Sequence, residues 1–234
     1  MIPLKDTIPS RTYPFVNIFI IILNILAFAY ELSLGKRLDM FILSYGVIPI
    51  KFYYLLATQP FNFLNIFFPF LSSIFLHGGW IHIIGNMLYL WIFGDNVEDR
   101  MGHLRYFAFY IICGVLAGGV HLYTNPTSGV PTIGASGAIA GVMGAYFIMF
   151  PGSRIITFVP IFFFFQIIEI PAFFFIGFWF LVQFFSGSLF LSSAGQNVGG
   201  VAWWAHVGGF VCGMVLVFFF RKRKRSYKVF RDQI

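Results

Sequence analysis

The length of its apolar runs limits what this chain can fold into. Pro14 to Tyr30 is seventeen residues without a charged side chain, and comparable runs recur as far as Phe220. About 20 apolar residues in helical form match the ~30 Å hydrocarbon core of a bilayer, whereas a transmembrane β-barrel shows short alternating segments. The surface argument agrees. Only 10% of the chain is charged, 59% is hydrophobic and 34 residues are Phe, while a soluble domain carries roughly 25% charged residues. Such a chain cannot cover itself with polar groups, so its outer face meets lipid. The expected class is an all-α polytopic membrane protein.

Six spans fit the pattern, at about 14–33, 77–94, 105–123, 136–150, 170–187 and 202–220. No small-residue cleavage site follows the first run, which therefore reads as a retained helix rather than a signal peptide. The mixed segment 34–76 reads as an external loop, and residues 155–168 are apolar enough for either a membrane-surface segment or an early start to span five. Placing both termini in the cytoplasm puts Lys5, Arg11, Arg100, Arg105, Arg154 and the seven basic residues of the 221–234 tail inside. Only Lys36, Arg37 and Lys51 then lie outside, as the positive-inside bias requires. The net charge of +7 is thereby explained by orientation and an anionic-lipid contact, not by nucleic acid. The organisation expected is a cytoplasmic segment 1–13, a six-helix domain 14–220 and the basic tail. Cys113 and Cys212 sit in apolar runs and read as buried, reduced small hydrophobes.

Span four is too short. Ser136 to Pro151 is about 22 Å of helix at 1.5 Å per residue, so one end must stop below the membrane surface. Pro151 and Arg154 hold the lower end near the cytoplasmic face, which sinks Ser136 into the bilayer under an uncharged loop at 124–133. Polar groups at that depth face the bundle interior or a water-filled cavity. Two other spans bring polar groups to the same level. His82 and Asn86, four apart on one helical face, lie on span two, and His206 lies on span six. Counting down to Glu98, Arg154 and Arg221 puts His82, Ser136 and His206 all roughly 22–27 Å above the inner face.

Glycines supply a reason for proximity. Gly137, Gly141 and Gly144 on span four, and Gly209 and Gly213 on span six, form small-xxx-small faces that let helix backbones approach closely. Close approach is what Ser136 and His206 need to share a hydrogen bond of about 2.6–3.2 Å. His206 then reads as general base and Ser136 as nucleophile. No acidic residue occurs between Asp99 and Glu169, so the expected machinery is a Ser–His dyad rather than a triad. The Ser136 backbone N–H, His82 and Asn86 are the candidate oxyanion donors, and no metal or cofactor is expected. Taken singly, Gly134-Ala135-Ser136-Gly137 serves equally as a packing face and each intramembrane His as an interhelical tie. Their coincidence at one depth is what points to a site.

Leu76-His77-Gly78-Gly79-Trp80-Ile81-His82-Ile83-Ile84-Gly85-Asn86-Met87, then Gly134-Ala135-Ser136-Gly137, then Ala205-His206-Val207-Gly208-Gly209 resemble, in order, the motifs of the rhomboid intramembrane serine proteases. The resemblance implies a six-helix core, a Ser136–His206 dyad, an oxyanion site of His82, Asn86 and the Ser136 N–H, and cleavage of single-pass transmembrane substrates near their outer ends. Asn96-Val97-Glu98-Asp99-Arg100-Met101-Gly102 resembles the family's structural turn after the second helix. Two features depart. Where some members carry a Tyr four residues after the nucleophile, against the imidazole, this chain has Ala140, and the Trp-Arg pair of the first external loop is absent. The competing reading is a catalytically silent relative that binds transmembrane clients. A transporter would show inverted repeats or intramembrane acids, and a zinc protease His-Glu-x-x-His. The short N-terminus points to a minimal form in a prokaryotic inner membrane.

Overall fold

The computed structural model describes residues 1–161, 164–192 and 201–222. Phe162 and Phe163, residues 193–200 and residues 223–234 of the expected basic tail lie outside them. Among the described residues four helices are long and apolar enough to cross a bilayer. They are α1 (Phe15–Ser33), α6 (His103–Thr124), α8 (Ala172–Ser192) and α9 (Trp203–Phe220). A fifth span forms if α4 (Phe63–Ser72), with the 3-10 turn that follows it, is taken together with α5 (Trp80–Met101), from which it is bent by 79°. The short apolar helix is α7, Ser136–Met149. Its start falls on the candidate nucleophile and its end two residues before Pro151, where a helix cannot continue.

Between α1 and α5 the chain is helical rather than an irregular loop. It comprises α2 (Leu38–Tyr45), α3 (Pro49–Thr58, opened by a proline at its first position) and α4. The all-α expectation needs correction at the opposite end of the molecule. The described residues of the 155–168 segment are not an early start to span five, since α8 begins only at Ala172. Residues 155–161 and 164–168 lie on two antiparallel strands, β2 (Arg154–Ile161) and β3 (Phe164–Pro171), and β1 (Ile2–Asp6) completes a sheet in the order β1-β2-β3. The run is rich in the β-branched and aromatic residues that suit a pleated surface. Local pattern could not separate it from a lipid-facing run, and β1, which pairs with β2 to complete the sheet, lies about 150 residues earlier in the chain.

α5 runs seven residues past the expected end of span two, through Asp95, Glu98 and Asp99. These charges have partners. The fully buried Glu98 carboxylate accepts the backbone N–H groups of Val16 (3.0 Å) and Asn17 (2.7 Å), so a side chain on α5 satisfies the first turn of α1. Asp99 accepts from both the backbone and hydroxyl of Thr12. Beside them Tyr106 donates to Asn17 Oδ1, and Asn17 donates to the Leu90 carbonyl. Gly94 has to lack a side chain here, since a Cβ would run into Asn17 and the Tyr106 hydroxyl. The turn resembling a family element thus clamps the N-terminal segment onto α5. One level away, Asp6 of β1 accepts hydrogen bonds from Asn96 of α5 and from the Tyr146 hydroxyl of α7.

The core lies between α7, α9 and α6. A Cβ on Gly209 would overlap the Gly137 carbonyl, one on Gly213 the Gly141 carbonyl, and one on Gly144 the Phe210 carbonyl. Backbone thus meets backbone along the whole seam. Cys113 of α6 is buried against Gly141, and Cys212 is half-buried.

Gly213→Ala should lower stability by about 1–3 kcal/mol, because the obstruction is backbone and cannot rotate away. Gly119→Ala on α6, where a Cβ meets open space, should be neutral or stabilising by up to ~1 kcal/mol. Thermal unfolding in detergent compares the two. A second expectation concerns Asp6. Burial lifts its carboxyl above the usual range, and hydrogen bonds from Tyr146 and the backbone only partly oppose this. The folded state therefore holds the proton more tightly than the unfolded chain. Its stabilising contribution is complete below about pH 4 and is lost as pH rises through the folded value. Asp6→Asn should flatten the decline in stability between pH 4 and neutrality, read from unfolding curves at each pH.

Candidate active site

Ser136 is the first residue of α7, preceded by Ala135 at the cap. Its position leaves the N–H groups of the first turn without intrahelical partners and at the positive end of the helix dipole. Across the glycine seam, α9 presents His206. Ser136 Oγ lies 2.8 Å from His206 Nε2, a hydrogen bond at the distance a nucleophile and its base require. The five glycines predicted to make this approach possible, Gly137, Gly141, Gly144, Gly209 and Gly213, all lie in the seam.

The remaining sequence candidates sit on the other side of a cleft of about 1110 Å³ whose lining includes His82, Asn86, Ser136 and His206. The rest of its wall is largely apolar, with Ile139, Met143 and Trp179 among its residues. His82 Nδ1 accepts the Gly78 backbone N–H at 3.3 Å, which leaves Nε2 as the protonated nitrogen. Asn86 Nδ2 is buried with no hydrogen-bond partner among the described residues, an amide donor free for an incoming oxygen. Gly134 separates the two sides. It has φ +128°, and a Cβ there would stand 2.7 Å from His82 Nε2 and 3.6 Å from Ser136 Oγ. Only a glycine both adopts that backbone and leaves the space between imidazole and hydroxyl empty. Its N–H is tied to the Ser73 carbonyl at 2.8 Å, which fixes the loop.

Two site residues escaped the sequence reading. The first is Gln183 of α8, whose Oε1 lies 2.7 Å from His206 Nδ1. It occupies the place where a triad would put a carboxylate, while Trp179 and Trp203 border the same imidazole with ring centroids at 6.0 and 6.4 Å. These groups, and not the residue at Ala140, surround His206. The second is Glu31 of α1. It is buried, and both its oxygens receive the His77 backbone N–H, at 3.1 and 3.2 Å. This pins the turn that leads into α5 and His82. Each had a signal in the sequence: a lone amide within Ala172–Phe185 and a lone acid closing the first apolar run. Polar groups at such positions are costly unless used.

The chemistry this arrangement allows is nucleophilic attack by a serine, with an imidazole to take its proton and donors facing the attacked carbonyl. Comparison with known proteins points the same way. The family model described as the Rhomboid domain matches residues 65–223. The chain belongs to the rhomboid family. Among its relatives, RHOMBOID-like protein 5 of Arabidopsis thaliana is 37% identical over 75 residues, covering 32% of this chain and 24% of that protein. The presenilin-associated rhomboid-like protein, mitochondrial, of Homo sapiens is 34% identical over 97 residues, or 40% and 26% of the two chains. Rhomboid protein 1, mitochondrial, of Saccharomyces cerevisiae is 27% identical over 163 residues, or 65% and 41%. The matched part of this rhomboid therefore spans a quarter to two fifths of the relatives' length. Their names place relatives in mitochondria and chloroplasts and lend no support to the expected prokaryotic inner membrane. A multi-pass, membrane-embedded protein is what the family and the apolar helices establish.

A fluorophosphonate probe should label this rhomboid at Ser136. His206→Ala should slow that labelling by about 10²–10⁴-fold, the usual contribution of a positioned general base. Mass spectrometry of the labelled peptide checks both statements.

Proposed function

We propose that this rhomboid is an intramembrane serine endopeptidase that cleaves single-pass transmembrane proteins in or near the outer ends of their helices. The observation that carries the reading is the 2.8 Å contact between Ser136 Oγ and His206 Nε2, facing free donors across an apolar cleft. The catalytic domain is residues 14–220, with six spans formed by α1, the bent α4–α5 pair, α6, α7, α8 and α9. Both termini lie in the cytoplasm, with the basic tail from Arg221 on that side.

In this mechanism His206 Nε2 takes the proton from Ser136 as Oγ attacks the scissile carbonyl carbon. The carbonyl oxygen becomes an oxyanion held by the Ser136 backbone N–H, His82 Nε2–H and Asn86 Nδ2. His206 then gives its proton to the departing amine. Water, deprotonated by the same imidazole, attacks the acyl carbon and releases Ser136. Donors already in place are the largest usual source of rate enhancement. A transmembrane helix shields its own peptide bonds, so the substrate has to unwind locally. Gly or Pro near the cut lowers that cost.

The decisive experiment reconstitutes the protein in liposomes with a fluorescent transmembrane substrate and analyses the products by mass spectrometry. Wild type should cut near the outer end of the helix, and Ser136→Ala should not. Asn86→Ala should reduce kcat by about 10²–10³-fold. Gly134→Ala should abolish turnover, because its methyl group fills the space meant for the oxyanion. Equal binding of several substrates by wild type and Ser136→Ala, with no cleavage by either, would establish the client-binding alternative instead.

A further inference from the structure

We propose that Gln183 is the positioning residue for His206, holding the imidazole in the one tautomer that can act as base toward Ser136. This rests on the protease reading above. A neutral imidazole has one N–H and one lone pair, and only the form with its lone pair on Nε2 can accept the Ser136 proton. Tautomer choice therefore depends on what faces Nδ1. Here that group is Gln183 Oε1 at 2.7 Å, an acceptor from a different helix. Gln183 is 6% exposed and His206 8%, so water has little part in the contact. The rings bordering His206, Trp179 and Trp203, limit its swing but offer no acceptor to Nδ1.

The choice of an amide has a physical reason. An aspartate at this depth would be a second ionisable group inside the hydrocarbon layer, where an unpaired charge is costly. A carboxamide oxygen accepts the Nδ1–H without carrying a charge. When His206 takes the serine proton, the same hydrogen bond gains a charged donor and strengthens. Its effect is thus greater in the transition state than in the resting enzyme, and such interactions raise kcat rather than lower KM. The separation in sequence is 23 residues, and α8 meets α9 at this level through the amide and the Trp204 indole, which donates to the Gly187 carbonyl at 3.2 Å. Gln183 is therefore placed by helix packing and acts on substrate only through His206.

The test uses full-length enzyme in liposomes and three variants: Gln183→Leu, Gln183→Glu and Ser136→Ala. Leu nearly preserves volume and removes the acceptor. Glu keeps an oxygen at the same reach. Gln183→Leu is expected to lower kcat by about 10²–10³-fold with KM within about twofold, and to slow fluorophosphonate labelling of Ser136 by a similar factor. Its thermal midpoint should stay close to wild type. Gln183→Glu should recover most of both losses. Wild-type kcat and labelling rate in Gln183→Leu would overturn the proposal, as would a loss that follows the thermal midpoint and is not recovered by Glu. The protease reading fails separately, if wild type cuts no substrate and matches Ser136→Ala. Labelling of Ser136 then still reports whether Gln183 controls His206.

Discussion

A hydroxyl at the head of one helix and an imidazole on another share a 2.8 Å hydrogen bond only if the helix axes approach more closely than ordinary side chains allow. In lipid there is no hydrophobic drive to press helices together, so contact depends on how well their surfaces fit. Here the fit is backbone against backbone. Gly137, Gly141 and Gly144 lie on α7, and Gly209 and Gly213 on α9; carbonyl oxygens fill the places side chains would take on Gly144, Gly209 and Gly213, and Ala117 and Cys113 of α6 fill those on Gly137 and Gly141. Every other feature of the site presupposes this seam.

The seam fixes how close the two helices lie, while a polar clamp at the other end of the bundle ties α1, α5, α6 and α7 to one another and to the N-terminal segment. Glu98 of α5 holds the first turn of α1, and Asn17 links α1 to the Leu90 carbonyl and the Tyr106 hydroxyl. Asp6 ties the N-terminal strand to Tyr146, in the last part of the helix that begins at Ser136. These buried groups are satisfied by long-range partners, so each constrains register between elements far apart in sequence. Glu31 does the same at the site end, holding the His77 N–H and with it the turn that delivers His82. The apolar surface sets which class of protein this is, and these few polar contacts set which arrangement of helices it adopts.

The site is economical in charge. Its hydrogen-bond chain runs from Ser136 to His206 to Gln183 through neutral groups, and its free donors are an amide, an imidazole and a helix N-terminus. In a low-dielectric cleft such dipoles act strongly on a developing oxyanion without the desolvation cost of a permanent ion.

The sequence alone determined the membrane class and the short apolar helix that begins at Ser136, and it set Ser136, His206 and His82 at a common level along their helices. Each of these depends on run length, spacing and rise per residue, which are local quantities. It also marked the glycines, since small residues at intervals of four on a lipid-bounded helix have few other uses. It did not reveal the strands β2 and β3, because β1, which pairs with β2, lies at the far end of the chain and their composition suits both lipid and sheet. Nor did it reveal Gln183 as the partner of His206 or Glu98 as the cap of α1. A single polar residue in an apolar span can be recognised as costly, but its partner depends on which face of each helix turns inward. Only the packed bundle decides that, through contacts between residues tens of positions apart.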